Sequence, residues 1–189
     1  LARAARALHD QYPQIQYHIA SGDGPLVTEQ LDKGLIDFGV LIGTPDLSKY
    51  DALPLPARDV WGVLMPAGCP LAQKAAVAPE DLWDKPLIVS RQKGADLTHW
   101  LRRSRSQLNI VATYNLIYNA SLLVDEGLGY ALTLDKLVNT TGSRLCFRPL
   151  TPRMDIGMYL VWKKYQVFSK AAEKFLEVLQ SLPEFQPEG

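Results

Sequence analysis

Residues 25–42, PLVTEQLDKGLIDFGVLI, decide the fold class. Pro25 suits a first helical turn, where its missing N–H would have no partner in any case. Val27, Leu31 and Leu35 recur at i, i+4 and i+8, so one helical face is apolar. Gly34 is free to take the left-handed conformation that stops a helix. Leu35, Ile36, Phe38, Val40, Leu41 and Ile42 then form a run apolar on both faces, interrupted only by Asp37 and Gly39. Strands of that kind belong to parallel sheets covered by helices. The spacing predicts an α/β protein, and open α/β sheets bind ligands beyond the carboxyl ends of their strands.

Upstream, Leu1, Ala4, Ala5 and Leu8 are already in helical register, with no Met and no capping residue before them. The chain is therefore expected to begin inside a helix, with more protein upstream. That helix ends near Tyr12-Pro13, because the residue before proline is pushed out of the α region. Ile15, Tyr17 and Ile19 alternate with Gln14, Gln16 and His18, a strand pattern. The right-handed crossover rule makes this strand and the 35–42 strand parallel neighbours.

Downstream, residues 43–55 read as a loop with Pro45, Pro54 and Pro56 nearby. A second unit starts near Val60, with strands at 60–65, 87–90, 109–114 and 128–134. A short helix opens at 78–82. Asp96 is placed to cap a helix whose apolar face is Leu97, Trp100 and Leu101. Another helix carries Ala120, Leu123, Val124 and Gly127. Residues 144–150 and 156–162 read as strands. Phe168, Ala171, Ala172, Phe175, Leu176, Leu179 and Leu182 form a long amphipathic helix capped by Ser169. The tail 183–189 is expected to fray. The division is residues 1–58 with 155–189, and 59–154.

The 189 residues include 20 Lys+Arg and 20 Asp+Glu, a net charge of zero, with 47% hydrophobic and 21% charged residues. That is a globular composition, without the basic excess of a module that holds nucleic acid by itself. No apolar run is long enough for a spanning helix, and no signal peptide is present. Cys69 and Cys146 lack metal spacing, which fits a reduced, cytoplasmic setting better than a single disulfide. His9, His18 and His99 are scattered and show no zinc spacing. The chain is expected to use no cofactor and no metal.

The motif order resembles the effector-binding domain of LysR-type transcriptional regulators. The resemblance rests on Tyr12-Pro13, on Leu31-x-x-Gly34-x-x-Asp37-Phe38-Gly39, and on Pro70-Leu71-Ala72. It rests further on Asp81-Leu82 before Pro86-Leu87-Ile88, and on Leu123-Val124-x-x-Gly127-Leu128-Gly129-Tyr130-Ala131-Leu132. It covers nearly the whole chain. It implies two Rossmann-like α/β subdomains of periplasmic-binding-protein type 2 architecture, joined by two crossover strands, with the effector in the cleft between them. It also implies an N-terminal helix-turn-helix outside this chain, a further strand upstream of Leu1, and a homodimer or homotetramer.

Candidate effector contacts follow from the ends of strands. Ser21, Gly22, Asp23 and Gly24 precede the helix opened by Pro25, whose free N–H groups and dipole favour an anion. An ordinary turn is the alternative, and the family's equivalent loop contacts effectors. Ser90 and Arg91 end the 87–90 strand. Arg91 is suited to clamp a carboxylate or to sit solvated at the surface. Asn119 reads as an N-cap, a ligand contact or both. Thr133 ends the 128–134 strand, and Ile42 and Thr44 flank the end of the 35–42 strand. Asp37 is expected to be buried and bonded to backbone or an arginine. Arg102, Arg103 and Arg105 are expected to spread around a solvated helix. Gly127-Leu128-Gly129 reads as a helix stop with tight packing, not a dinucleotide site. No Ser-His-Asp or Cys-His set stands in a recognisable setting.

These readings converge on the ligand-sensing domain of a regulator that binds a small molecule, a carboxylate or other anion, and is not an enzyme. Leu1, Ala5 and Leu8 would form a dimer surface or pack on their own sheet. A solute-binding protein of a transporter and an enzyme on a similar scaffold are the alternatives.

Overall fold

The structure is a computed structural model that describes residues 1–91 and 97–185. Asp96, expected to cap a helix, and the last four residues of the expected frayed tail lie outside the described residues. The chain divides into two compact units, residues 1–57 with 158–189, and residues 58–157.

In the first unit, α1 (Ala2–Gln11) packs on α5 (Lys170–Ser181). Ala4 and Leu8 are fully buried there. Leu8 therefore belongs to the unit's own interior and not to a free dimer surface. Ser169 caps α5 as expected, its hydroxyl accepting from the Ala172 N–H at 3.2 Å. Helix α2 (Gly24–Asp32) starts at Pro25, and Gly34 ends it with φ +67°. β1 (Gly39–Ile42) follows. Gly39 is required by α2: a Cβ on it would meet Val27 Cγ1 at 2.6 Å and Leu31 Cδ1 at 3.0 Å. Leu31, Tyr50 and Val161 form the cluster beneath.

Several expectations fail in this unit. Residues 14–23 form no strand. The alternation there has no ladder to join, and a strand without a paired neighbour gains nothing from its pattern. Tyr17 instead donates its hydroxyl to the Ala5 carbonyl at 3.1 Å and sets its ring edge-on to Phe175, while Ile19 is 93% exposed. β1 pairs antiparallel with β7 (Asp155–Lys163), Gly39 opposite Val161 and Ile42 opposite Met158. It is covered on one face only, with Val40, Ile42 and Leu35 exposed. Asp37 is exposed as well. The expected 43–55 loop ends early, because β2 runs from Tyr50 to Pro66. Pro54 and Pro56 are two apart, so their missing donors fall on one strand edge, where a strand tolerates them.

The second unit is a mixed sheet. β2 lies between β5 (Tyr130–Leu134) and β6 (Leu145–Pro149), antiparallel to both. β5 continues parallel to β3 (Leu87–Ser90), and β3 parallel to β4 (Ile110–Tyr114). Alternation decides which face each side chain covers. Val63 and Met65, Leu87 and Val89, and Leu132 and Leu134 join Trp61, Leu82, Trp100 and Leu101 on one face. Leu64, Ile88 and Ala131 face the other way, onto Ala120 and Val124 of α4 (Ile117–Asp125). Gly127 stops α4 with φ +79°, and a Cβ on Gly129 would meet the Pro86 carbonyl at 2.5 Å, so this pair of glycines is a stop and a close packing. The arginines do not share one α-helix, and Arg105 opens a short 3-10 turn of its own. α3 (Leu97–Leu101) ends before them, Arg102 adopts φ +53°, and Arg103 stacks 4.3 Å above the Trp83 ring.

Tyr50 ties the first unit together by donating its hydroxyl to Asp32 Oδ1 at 2.8 Å. Burial first, then the Asp32 carboxylate, pushes its phenol from 10.0 up to about 12. A raised phenol favours the protonated, folded form. Its contribution is complete below the unfolded value and disappears as pH rises through the folded one. Urea midpoints of the wild type should therefore drop between pH 10 and 12 more steeply than those of Tyr50→Phe. Parallel curves would contradict this.

Candidate functional site

The second unit carries a recess of about 590 Å³, lined by Leu64, Phe147, residues 133–136 and residues 138–141. Its floor follows from strand register. Gly62 stands opposite both Thr133 on β5 and Pro149 on β6. With no side chain at Gly62, the Phe147 ring lies over it: a Cβ there would meet Phe147 Cζ at 2.1 Å and the Arg148 carbonyl at 2.4 Å. Period-two alternation puts Thr133 on the same face as Ala131, where α4 and Leu64 make an apolar layer. Thr133 is 2% exposed, and its hydroxyl makes no hydrogen bond of regular geometry; the polar group beside it is the Tyr114 phenol, which donates its own hydrogen to the Leu132 carbonyl at 2.8 Å. A buried hydroxyl without a partner costs about 1–3 kcal/mol.

The wall of the recess is the connection between β5 and β6. Asp135 pins its start, accepting from the Val60 N–H at 2.9 Å, while its own N–H donates to the Val60 carbonyl at 2.9 Å. Lys136 adopts φ +62° and lies 3.3 Å from Asp135 Oδ2. Asn139 Oδ1 accepts from the Thr141 N–H at 3.0 Å, closing a local turn that leaves the amide NH2 end of Asn139 outside that bond. The lining thus combines apolar surface with hydroxyl, amide and charged groups, as small-molecule pockets do.

Of the residues expected to contact an effector, only Thr133 lines this recess. Ser90 is half-buried at the end of β3, and Arg91 is exposed beside it, its backbone N–H donating to the Tyr114 carbonyl at 2.8 Å. Continued by two residues, the parallel register of β3 and β5 sets Ser90 level with Thr133 at the carboxyl end. Asn119 is exposed in the first turn of α4 and is not its N-cap, which is Leu116. Ser21, Gly22, Ile42 and Thr44 are exposed in the first unit. The anion reading of the α2 N-terminus meets a carboxylate already there: Asp23 is the cap, and its Oδ1 accepts from the Leu26 N–H at 3.2 Å. Phe147, Asn139, Thr140, Thr141 and Lys136 were not singled out by sequence. The turn-rich run NTTG at 139–142, between two strands, was the available signal.

Among the described residues no group of three or more His, Cys, Asp and Glu could hold a metal ion. No helix among them is long and apolar enough to cross a membrane. Cys69 and Cys146 are free thiols.

Residues 1–183 match the LysR substrate binding domain model, and the chain belongs to that family. A search of curated proteins returned no match. Among solved structures, the chain is similar to HinK, a LysR family transcriptional regulator from Pseudomonas aeruginosa. The identity is 21% and the TM-score 0.75, over 94% of this chain and 63% of that one. It is also similar to the effector binding domain of QuiR in complex with shikimate, at 15% identity and TM-score 0.81, over 94% of this chain and 87% of that one. A third is the C-terminal domain of a probable LysR family regulator from Rhodococcus sp. RHA1, at 17% identity and TM-score 0.76, covering 96% and 92%. The chain therefore spans less than two thirds of the length of HinK, and these likenesses establish the periplasmic-binding-protein-like α/β fold.

Two substitutions test the geometry. Thr133→Val removes the hydroxyl that lacks a regular hydrogen bond, so unfolding free energy should stay level or rise by about 1 kcal/mol. Gly62→Ala sets a methyl group against the Arg148 carbonyl and should cost about 1–3 kcal/mol. Urea unfolding measures both. A destabilised Thr133→Val would mean that the hydroxyl is bonded.

Proposed function

We propose that this chain is the ligand-sensing part of a LysR-type transcription regulator, and that the recess at Thr133 receives a small-molecule effector. Family membership supports the class. The observation that carries the site is the Thr133 hydroxyl, buried without a hydrogen bond of regular geometry on a largely apolar face that it shares with the Tyr114 phenol. Buried polar groups are nearly always bonded, and a ligand in the recess supplies the missing partner. The rest of the lining, apolar on Leu64 and Phe147 and polar on Asn139, Thr140 and Thr141, suits a compact molecule with one apolar side.

In this reading the two compact units act as the regulatory subdomains I and II. The full-length protein is a cytoplasmic homodimer or homotetramer that binds DNA through a helix-turn-helix outside this chain. The effector biases that assembly only through different affinities for its two arrangements. The chain binds its ligand without turnover and needs no cofactor. Membership of a regulator family favours this reading over a transporter's solute-binding protein.

A thermal-shift screen of a metabolite library tests it. A ligand present at a hundred times its dissociation constant adds about 2.7 kcal/mol to stability, so a hit should raise the Tm by several degrees. Thr133→Val should abolish that shift while leaving the unliganded Tm unchanged or higher. Hits that persist in Thr133→Val would overturn the site.

A further inference from the structure

The surroundings of Thr133 decide what kind of partner its hydroxyl lacks. The Tyr114 ring packs against the same layer, and its phenol donates to the Leu132 carbonyl at 2.8 Å, one residue before Thr133. With that hydrogen committed, the phenolic oxygen can offer Thr133 only lone pairs. Burial pushes the phenol above its ordinary value, and the Thr133 hydroxyl offsets part of the rise. That sign is the one expected of a hydroxyl that turns its hydrogen toward the phenolic oxygen. The Thr133 oxygen is then left as an acceptor, and among the described residues no donor reaches it.

The charges of the lining cancel locally. Asp135 and Lys136 are its acid and its base, and they lie 3.3 Å apart. Asp135 Oδ1 also accepts from the Val60 N–H at 2.9 Å. The nearby guanidinium groups are committed elsewhere, Arg148 to the Ala72 and Lys74 carbonyls and Arg144 to Asp125. An ionised ligand would give up its hydration here without gaining an uncommitted counter-charge. The rest of the lining is uncharged, polar on Asn139, Thr140 and Thr141 and apolar on Leu64, Val138 and Phe147.

We infer that the ligand of this recess is an uncharged alcohol, which donates its hydroxyl hydrogen to the Thr133 oxygen and lays an apolar body against Leu64 and Phe147. This rests on the recess being the effector site. An ionised carboxylate brings lone pairs alone and repeats what the Tyr114 oxygen already offers, so the class differs from the carboxylate expected from sequence. An ammonium group is a donor, but the Asp135 carboxylate is already held by Lys136 and the Val60 N–H.

Four probes of matched shape separate the possibilities: 2-phenylethanol, its methyl ether, 3-phenylpropionate and phenethylamine. Their affinities for the wild-type chain are measured by calorimetry at neutral pH and fixed salt. 2-Phenylethanol should bind tightest, about tenfold more tightly than the ether, which has the same oxygen and no hydrogen to donate. Thr133→Ser keeps the hydroxyl and should keep that preference, whereas Thr133→Val should abolish it. Urea midpoints of both variants verify that they fold. An ether that binds the wild type as tightly as the alcohol would overturn the inference while the recess stands. So would tightest binding by 3-phenylpropionate or phenethylamine that Thr133→Val weakens. If none of the four probes binds in a way that Thr133→Val weakens, the recess reading falls and the inference with it.

Discussion

The alternation of β2 is the constraint on which the second unit depends. Met65 and Val63 must point into one apolar layer and Leu64 into the other, because β2 has a strand on each edge and cannot turn without breaking both ladders. That fixes β5 and β6 in register with it. Once β5 is fixed, Thr133 has no freedom: it falls on the Leu64 side, where every other strand contributes an apolar group. The same lock leaves Gly62 bare beneath the Phe147 ring, and the space beyond that ring is the recess. A polar side chain in an apolar layer is a cost that a fold ordinarily avoids. Here it lies at the carboxyl end of a strand, where α/β sheets receive ligands.

Much of the fold was legible. Pro25, Gly34, Ser169 and Gly127 act on the backbone of their own neighbours, so their helix starts and stops can be read directly. The strands of the second unit were legible because their side chains are covered by both layers, which leaves continuous apolar runs. The first unit was harder. Residues 14–19 alternate well, yet a strand exists only where another chain segment offers its edge, and sequence pattern carries no information about that. The antiparallel pairing of β1 with β7 joins residues more than a hundred positions apart, beyond the reach of any local rule. Pro54 and Pro56 concealed the start of β2 for a different reason: they exclude a central ladder, not an edge.

The site was less legible than the fold. Thr133 could be nominated from its place at a strand end, but its missing partner is a property of packing. The 135–142 connection looked like plain loop, since its contribution depends on folding back beside β2, which the Val60 and Asp135 bonds enforce. The helix N-terminus at Asp23 illustrates the opposite case. Sequence suggested open N–H groups for an anion, and the same residues contained the carboxylate that caps them. Leu8 behaved similarly. It was legible as apolar and in register, but only packing shows that α5 already covers it.

The most direct test of the account is where a bound molecule perturbs the chain. Amide chemical-shift mapping of the isotopically labelled protein during titration with a stabilising ligand reads this residue by residue. The account predicts that the largest changes fall on Gly62, Thr133, Lys136, Asn139, Thr141 and Phe147, with little change along α1 and α5. Changes concentrated on Ser21, Gly22 and Thr44, with the 133–141 amides unmoved, would contradict it.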